Sequence, residues 1–399
     1  MKKIFVFAAV AASVLAVGCA KNEVVQNVTK DVKTPVTFGV YSARTATKAV
    51  SATDFGDITT NSLGKSSNAG FGVFGFFSDY SAISSDFVTS PNNFTPNFMY
   101  NQNVKGNGDG SAAATAWTYS PVKYWPNEYS TTLALSDQVD KLTFFAYAPY
   151  VATASVGTEG ITAFSANNAT GDPTVSFKVP AADDEQIDLL WADQTSSNTQ
   201  NLVKQELDQN VHFVFKHALS NLALYPIAVV NASSIPASTG TDVDAAAAVT
   251  VNSITVSGTF DQTGTLNLRT GAWTSAPAGS AQTVTYTPAS PLDVTDINDK
   301  AEADAGDPCA EFMFIPSSDG AKTYTVTINY DVTYTDAALD GGEVVVNNVI
   351  HKDISLEFEK GKKMKLYIGL GLTSVVFTAE VGDWTADDPA TIWLPVNTD

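Results

Sequence analysis

Residues 323–334 read Thr-Tyr-Thr-Val-Thr-Ile-Asn-Tyr-Asp-Val-Thr-Tyr, and this strict alternation constrains the fold more than any other stretch. Tyr324, Val326, Ile328, Tyr330, Val332 and Tyr334 fall on one side of an extended chain, and Thr323, Thr325, Thr327, Asn329, Asp331 and Thr333 on the other. That pattern belongs to a strand with one buried face and one wet face. Helical periodicity is nearly absent elsewhere, so the expected class is all-β. Strands are expected at 36–41, 70–77, 98–104, 117–119, 142–148, 175–179 and 187–192, with Gly- and Asn-rich turns between them. Seven strands is the number of one β-sandwich. Residues 193–210 are polar and strand-poor, with a short helix expected around 202–207, and the domain boundary is placed there. Strands resume at 211–215, 222–230, 249–259, 264–268, 312–315, 323–334, 354–358, 364–370 and 375–381. The expected architecture is two tandem antiparallel β-sandwiches, over 45–195 and 196–399.

The beginning of the chain carries a different signal. Lys2 and Lys3 precede an apolar run over 4–17 that is too short for a spanning helix that stays. It closes in Leu15-Ala16-Val17-Gly18-Cys19, which resembles the lipobox of bacterial lipoproteins. The resemblance implies a signal peptide over 1–18, cleavage before Cys19 and acylation of its thiol. Residues 20–35 are polar and read as a tether. In the strand that follows, Val36, Phe38 and Val40 share the inner face. Next comes a loop of small and polar residues with Arg44 and Lys48. Arg44 is one of two arginines in the chain, the other being Arg269. It reads equally as a surface arginine or as a processing site.

Charge and chemistry narrow the function. The formal net charge is −20, which excludes a nucleic-acid backbone as the main ligand. With Cys19 acylated, Cys309 has no partner for a disulfide, and its apolar surroundings mark it as a small core residue. No stretch after the leader is apolar for eighteen residues, so membrane contact is expected only through the lipid on Cys19. His212 and His217 lie an odd number of residues apart in one strand, so they face opposite ways and do not share a metal. His217 is expected in the core. The carboxylate-dense run over 293–307 lacks a glycine at the sixth position counted from Asp296 and reads as a solvated loop. Trp125 and Tyr129 could stack on sugars, although packing is the commoner use of such residues. No set of nucleophile, acid and base stands out, so neither enzymatic activity nor a cofactor is expected.

Several segments together resemble the fimbrillin family of the Bacteroidales, the subunits of type V pili. They are 97–102, 117–126, 144–149, 188–192, 213–222 and the closing run from Gly361 through Tyr367 to Trp384. The resemblance implies two transthyretin-like sandwiches and passage through the lipoprotein export machinery to the outer membrane. It further implies a lipidated propeptide over 19–44, cut by a trypsin-like, Arg/Lys-specific protease in the loop after the first strand. Arg44 matches the cut site, and Lys48 in the same loop leaves the bond open. Loss of the strand bearing Val36, Phe38 and Val40 would open an apolar groove. A strand over 391–396, with Ile392, Leu394 and Val396 two residues apart, would fill that groove in another copy or a homologous pilus subunit. Pro395 removes one backbone donor from that strand. The implied function is a structural subunit of an extracellular pilus serving adhesion and colonisation. The alternative is an uncleaved, surface-anchored binding lipoprotein, or a tip or anchor fimbrillin, that recognises a glycan or host surface.

Overall fold

The apolar runs over 71–77 and 142–148 are nearly continuous because both faces of these strands are buried. Phe71 and Val73 pack into one core while Phe74 and Phe76 pack into another. Likewise Leu142, Phe144 and Ala146 face the first core, and Phe145 and Tyr147 the second. A strand wet on one face would have alternated. The computed structural model describes residues 34–42, 70–79, 83, 85–106, 117–126, 140–203, 210–228, 247–275, 281–317, 320–336, 342–371 and 375–384. All lie in one compact unit, Thr34–Asp399.

Among the described residues the chain begins with β1 (Phe38–Ser42), β2 (Phe71–Ser78), β3 (Met99–Gly106), β4 (Trp117–Thr118) and β5 (Lys141–Ala148). It continues through β6 (Gly160–Phe164), β7 (Thr174–Lys178), β8 (Leu190–Ala192), β9 (Val211–His217) and β10 (Ser220–Ala228). Then come β11 (Ala248–Gly258), β12 (Thr263–Asn267), β13 (Trp273–Ser275), β14 (Gln282–Tyr286) and β15 (Leu292–Asp293). The short helix α1 (Lys300–Ala305) precedes β16 (Ala310–Phe314), β17 (Lys322–Asp336), β18 (Gly342–Leu356), β19 (Lys362–Leu370) and β20 (Val375–Asp383). The class is all-β. The first sheet runs β1-β9-β8-β5-β2-β3-β4. The others run β16-β10-β19-β20, β14-β11-β17-β18 and β13-β12-β7-β6.

Residue 195 is not a sheet boundary. β9 completes the first sheet between β1 and β8, because Val211, Phe213 and Phe215 belong to the same core as Phe71 and Phe144. β7 pairs with β12, so a second sheet also joins strands from both sides of 195. The chain thus leaves the first sheet at β8 and returns to it at β9, with Asp193, Thr199 and Leu202 buried on the way. Leu202, expected to start a helix, instead bridges Leu142, and residues 204–209 lie outside the described set.

β17 follows its alternation: Tyr324, Val326, Ile328, Tyr330 and Val332 are buried. It pairs with β18 from Lys322↔Leu356 to Asp336↔Gly342 without a break. The acidic run over 293–307 is ordered, not merely solvated. Asp299 accepts a hydrogen bond from the Glu302 amide, and Glu302 accepts one from the Asn298 amide, which caps α1. Ala303 of α1 packs with Ala223, Tyr225 and Ile227 of β10, and Asp304 accepts from Lys365 and Tyr367. Cys309 is half-buried and has no disulfide partner among the described residues, and burial pushes its thiol up to about 12.

Ile328→Ala is expected to lower unfolding stability by about 2–5 kcal/mol, the range for a buried aliphatic side chain cut to a methyl. Thr333→Ala, on the outer face of the same strand, should stay within about 0.5 kcal/mol. Urea unfolding of the two variants checks this; equal losses would contradict the assignment of faces.

Candidate functional site

The first strand sits in a cleft whose walls come from distant parts of the chain. Its inner face carries Val36, Phe38 and Val40, all at least 96% buried in the core of the first sheet. Phe38 is the centre of an aromatic cluster. Its ring lies 5.6 Å from Phe213 in a stacked arrangement and 5.6 Å from Phe144 edge-on, with Phe71 at 6.5 Å and Tyr119 at 5.4 Å. Such pairs add about 0.5–1.5 kcal/mol each beyond their burial. Burial of Val36, Phe38 and Val40 contributes about 1.5–3 kcal/mol apiece.

Main chain borders this segment on two sides, over different stretches. On one side β1 runs parallel to β9, from Phe38↔Val211 to Ser42↔Phe215, and the Val211 amide donates to the Thr37 carbonyl at 2.8 Å. On the other side residues 34–36 meet 123–125 antiparallel: the Val36 amide donates to the Lys123 carbonyl and the Trp125 amide to the Thr34 carbonyl, each at 2.9 Å. Tyr119 fastens this second edge. Its hydroxyl donates to the Val36 carbonyl at 2.7 Å and approaches the Lys123 carbonyl at 3.3 Å. Burial pushes that hydroxyl up to about 12, so it stays a donor at neutral pH.

The cleft brings together Val36, Phe38 and Val40 as the residue pattern places them. Cys19, Arg44, Lys48, Tyr129, Ile392, Leu394 and Val396 lie outside the described residues. Trp125 is 2% exposed and meets Phe144 edge-on, so it is a wall of the cleft and not an exposed sugar platform. His217 is not in the core. It caps the end of β9, with Nδ1 at 2.9 Å from an Asp188 carboxylate oxygen and its ring stacked 3.8 Å from Trp384. Among the described residues no group of three His, Cys, Asp or Glu side chains could hold a metal ion. The residue pattern did not single out Tyr119 or the edge over 123–125. Their signal was an amphipathic tyrosine at the end of a two-residue strand, followed by Pro121 and Pro126 on either side of a short extended run.

The sequence model of the fimbrillin-like family matches residues 66–384. The chain belongs to the fimbrillin-like family. It is 31% identical over 216 residues to the fimbrium subunit Fim1C of Phocaeicola vulgatus, across 54% of this chain and 48% of that protein. The match therefore spans about half the length of this curated relative. The fold of this fimbrillin-like chain is similar to the crystal structure of a fimbrial protein from Bacteroides vulgatus, with a TM-score of 0.58 and 21% identity. That similarity covers 88% of this chain and 99% of the other. The family match begins beyond the first strand and ends at Trp384, so both the first strand and residues 391–396 fall outside it.

Tyr119→Phe is expected to cost about 0.5–1.5 kcal/mol through the lost bond to Val36, and amide exchange should quicken most over 34–40. The raised hydroxyl also fixes a pH dependence. Its contribution is fully present below about 10, the unfolded value, and is lost as pH rises toward about 12. Stability measured between those pH values should fall less steeply in the Phe variant; an unchanged slope would place the tyrosine hydroxyl outside the cleft.

Proposed function

We propose that this chain is a structural subunit of a cell-surface pilus, exported as a lipoprotein on Cys19 and activated by loss of its first strand. Membership of the fimbrillin-like family supports the pilus reading. The observation that carries the rest is the first strand itself, a separate plug between two main-chain edges, joined to β2 only through the segment that holds Arg44 and Lys48. A cut in that segment frees the lipidated peptide over 19–44. What remains is a groove with an apolar floor of Phe71, Phe144 and Phe213 and two unpaired edges, β9 and 123–125. Exposed edges and an apolar floor recruit a strand. Residues 391–396 of another subunit supply one, with Ile392, Leu394 and Val396 taking the places of Val36, Phe38 and Val40. Anchor and plug leave together, so release from the membrane coincides with readiness to assemble. Adhesion and colonisation follow from a polymer at the cell surface.

Processing is tested by N-terminal sequencing of sheared surface material, where a start at Thr45 or Ala49 is expected. The double variant Arg44→Ala, Lys48→Ala should leave folded, lipidated monomer; normal polymers from it would sink the processing step and return the uncleaved binding lipoprotein, or a tip or anchor subunit, as the better reading.

The donor is tested separately. Deletion of 391–399, or Leu394→Asp, should give folded protein that trypsin cuts but that forms no detergent-resistant ladders, because a carboxylate in an apolar groove is costly without a partner. Thr391→Asp, on the opposite face, should be tolerated. Ladders from the truncated protein would move the donor elsewhere in the chain.

A further inference from the structure

β18 is a 15-residue strand at the border of its sheet, and among the described residues its only neighbour is β17. Its outward-facing residues are Glu343, Val345, Asn347, Val349, His351, Asp353 and Ser355. Two of these are valines with large exposure, Val345 at 49% and Val349 at 59%. A long strand that has a strand neighbour on one side only among the described residues, with apolar side chains exposed along it, invites a further strand. We propose that this border pairs antiparallel with β18 of a second copy of this chain, about a two-fold axis through Asn347.

The register follows from what each alignment sets opposite what. A two-fold axis perpendicular to the sheet keeps outward-facing residues opposite outward-facing residues. Centred on Asn347, Val345 meets Val349 of the second copy twice over, Glu343 meets His351 twice, and the asparagines meet each other. Centred on residue 346, Val345 would face Asn347 and Glu343 would face Val349. Centred on residue 348, Glu343 would face Asp353, and like charges directly opposite are destabilising. Only the alignment at Asn347 matches apolar with apolar and carboxylate with imidazole. His351 is already held on its own sheet by the 2.9 Å contact of its Nδ1 with Thr327, which leaves Nε2 for the facing carboxylate. The contact uses neither the first-strand cleft nor residues 391–396, so it stands or falls apart from the polymerisation reading.

The test uses the full chain carrying Cys19→Ser and Cys309→Ala, which removes both native thiols. That protein should elute and scatter light at twice the 42.1 kDa chain mass. Asn347→Cys, which gives up one hydrogen bond to Asp331, should cross-link to a covalent dimer under mild oxidation, since directly opposed residues lie within disulfide reach. Val345→Cys and Val349→Cys should each stay uncross-linked alone and link when mixed. Val349→Lys points to solvent, so its thermal midpoint should match that of the parent diluted to monomer, while the Asn347→Cys cross-link is lost in its presence. A monomer at every concentration overturns the proposal. So does a cross-link from Val345→Cys alone, which requires another register. A monomer whose β18 amides resist exchange also overturns it, by assigning the border to a segment of the same chain.

Discussion

The structure depends on covering both faces of β2 and β5. Their alternate residues feed two separate cores, so the first sheet is stable only while each face has a lid. On one face the lid includes β6 and β7, whose Ile161, Val175 and Phe177 share a core with Phe74, Phe145 and Tyr147. The other face is closed by the curl of β3 and β4 with residues 117–125, and by the first strand wedged between that curl and β9. Most of this closure is covalently continuous and local. The first strand is not. A long segment separates it from β2, and loop-closure entropy rises only slowly with length, by about 0.6 kcal/mol per doubling. The plug is thus held by its own contacts rather than by its tether. A part held that way can be exchanged for an equivalent one without rebuilding the rest.

How much of this the residues disclosed depends on which faces are buried. β17 was legible to the residue because one face is wet and the other dry. β2 and β5 were legible as strands, but their unbroken apolar runs announce a two-sided sheet only once the second core is seen. β18 was legible only at its end, over 354–358. Its inward residues are half-buried Val, Ile and Lys apart from the buried Asn348 and Leu356, so the contrast between faces is weak along most of its length. β6, β13, β14 and β15 were missed because they are short, the first three also carrying Thr, Ser or Gly, and pairing with neighbours rather than propensity fixes them. The acidic helix was missed because its carboxylates act one at a time as cap and ion-pair partners, and such use leaves no spacing pattern.

The cleft was legible in half. The alternation of Val36, Phe38 and Val40 identifies the inner face, since burial is written into the side chains. Its walls are not local in sequence: Phe71, Tyr119, Phe144 and Phe213 come from four elements, and only the fold joins them. The placement of β9 shows the same limit. Its inward residues are as compatible with a second sheet as with the first, and the polar run before it marked a loop without saying which sheet the chain returns to.

Net charge decides what kind of contact can bring copies of this chain together. At −20, two molecules repel at long range. At physiological ionic strength that repulsion is screened beyond roughly 8 Å, so it slows encounter more than it opposes a contact already made. Attraction must therefore come from terms that act at contact: backbone hydrogen bonds and apolar burial. Both lie at strand borders, where each residue added to a ladder brings main-chain bonds and, on alternate positions, a side chain to bury. The cleft of the first strand supplies the deeper version, an apolar floor under two edges. The outer border of β18 supplies a shallower one, with two exposed valines and no floor. The difference in burial predicts a difference in lifetime. A strand seated in the cleft leaves only by exposing several large side chains at once, whereas a border pair can separate one ladder step at a time. On the reading proposed above, durable connectivity in an assembly of this acidic chain would belong to the cleft, and a contact along β18 would be a reversible one that concentration controls.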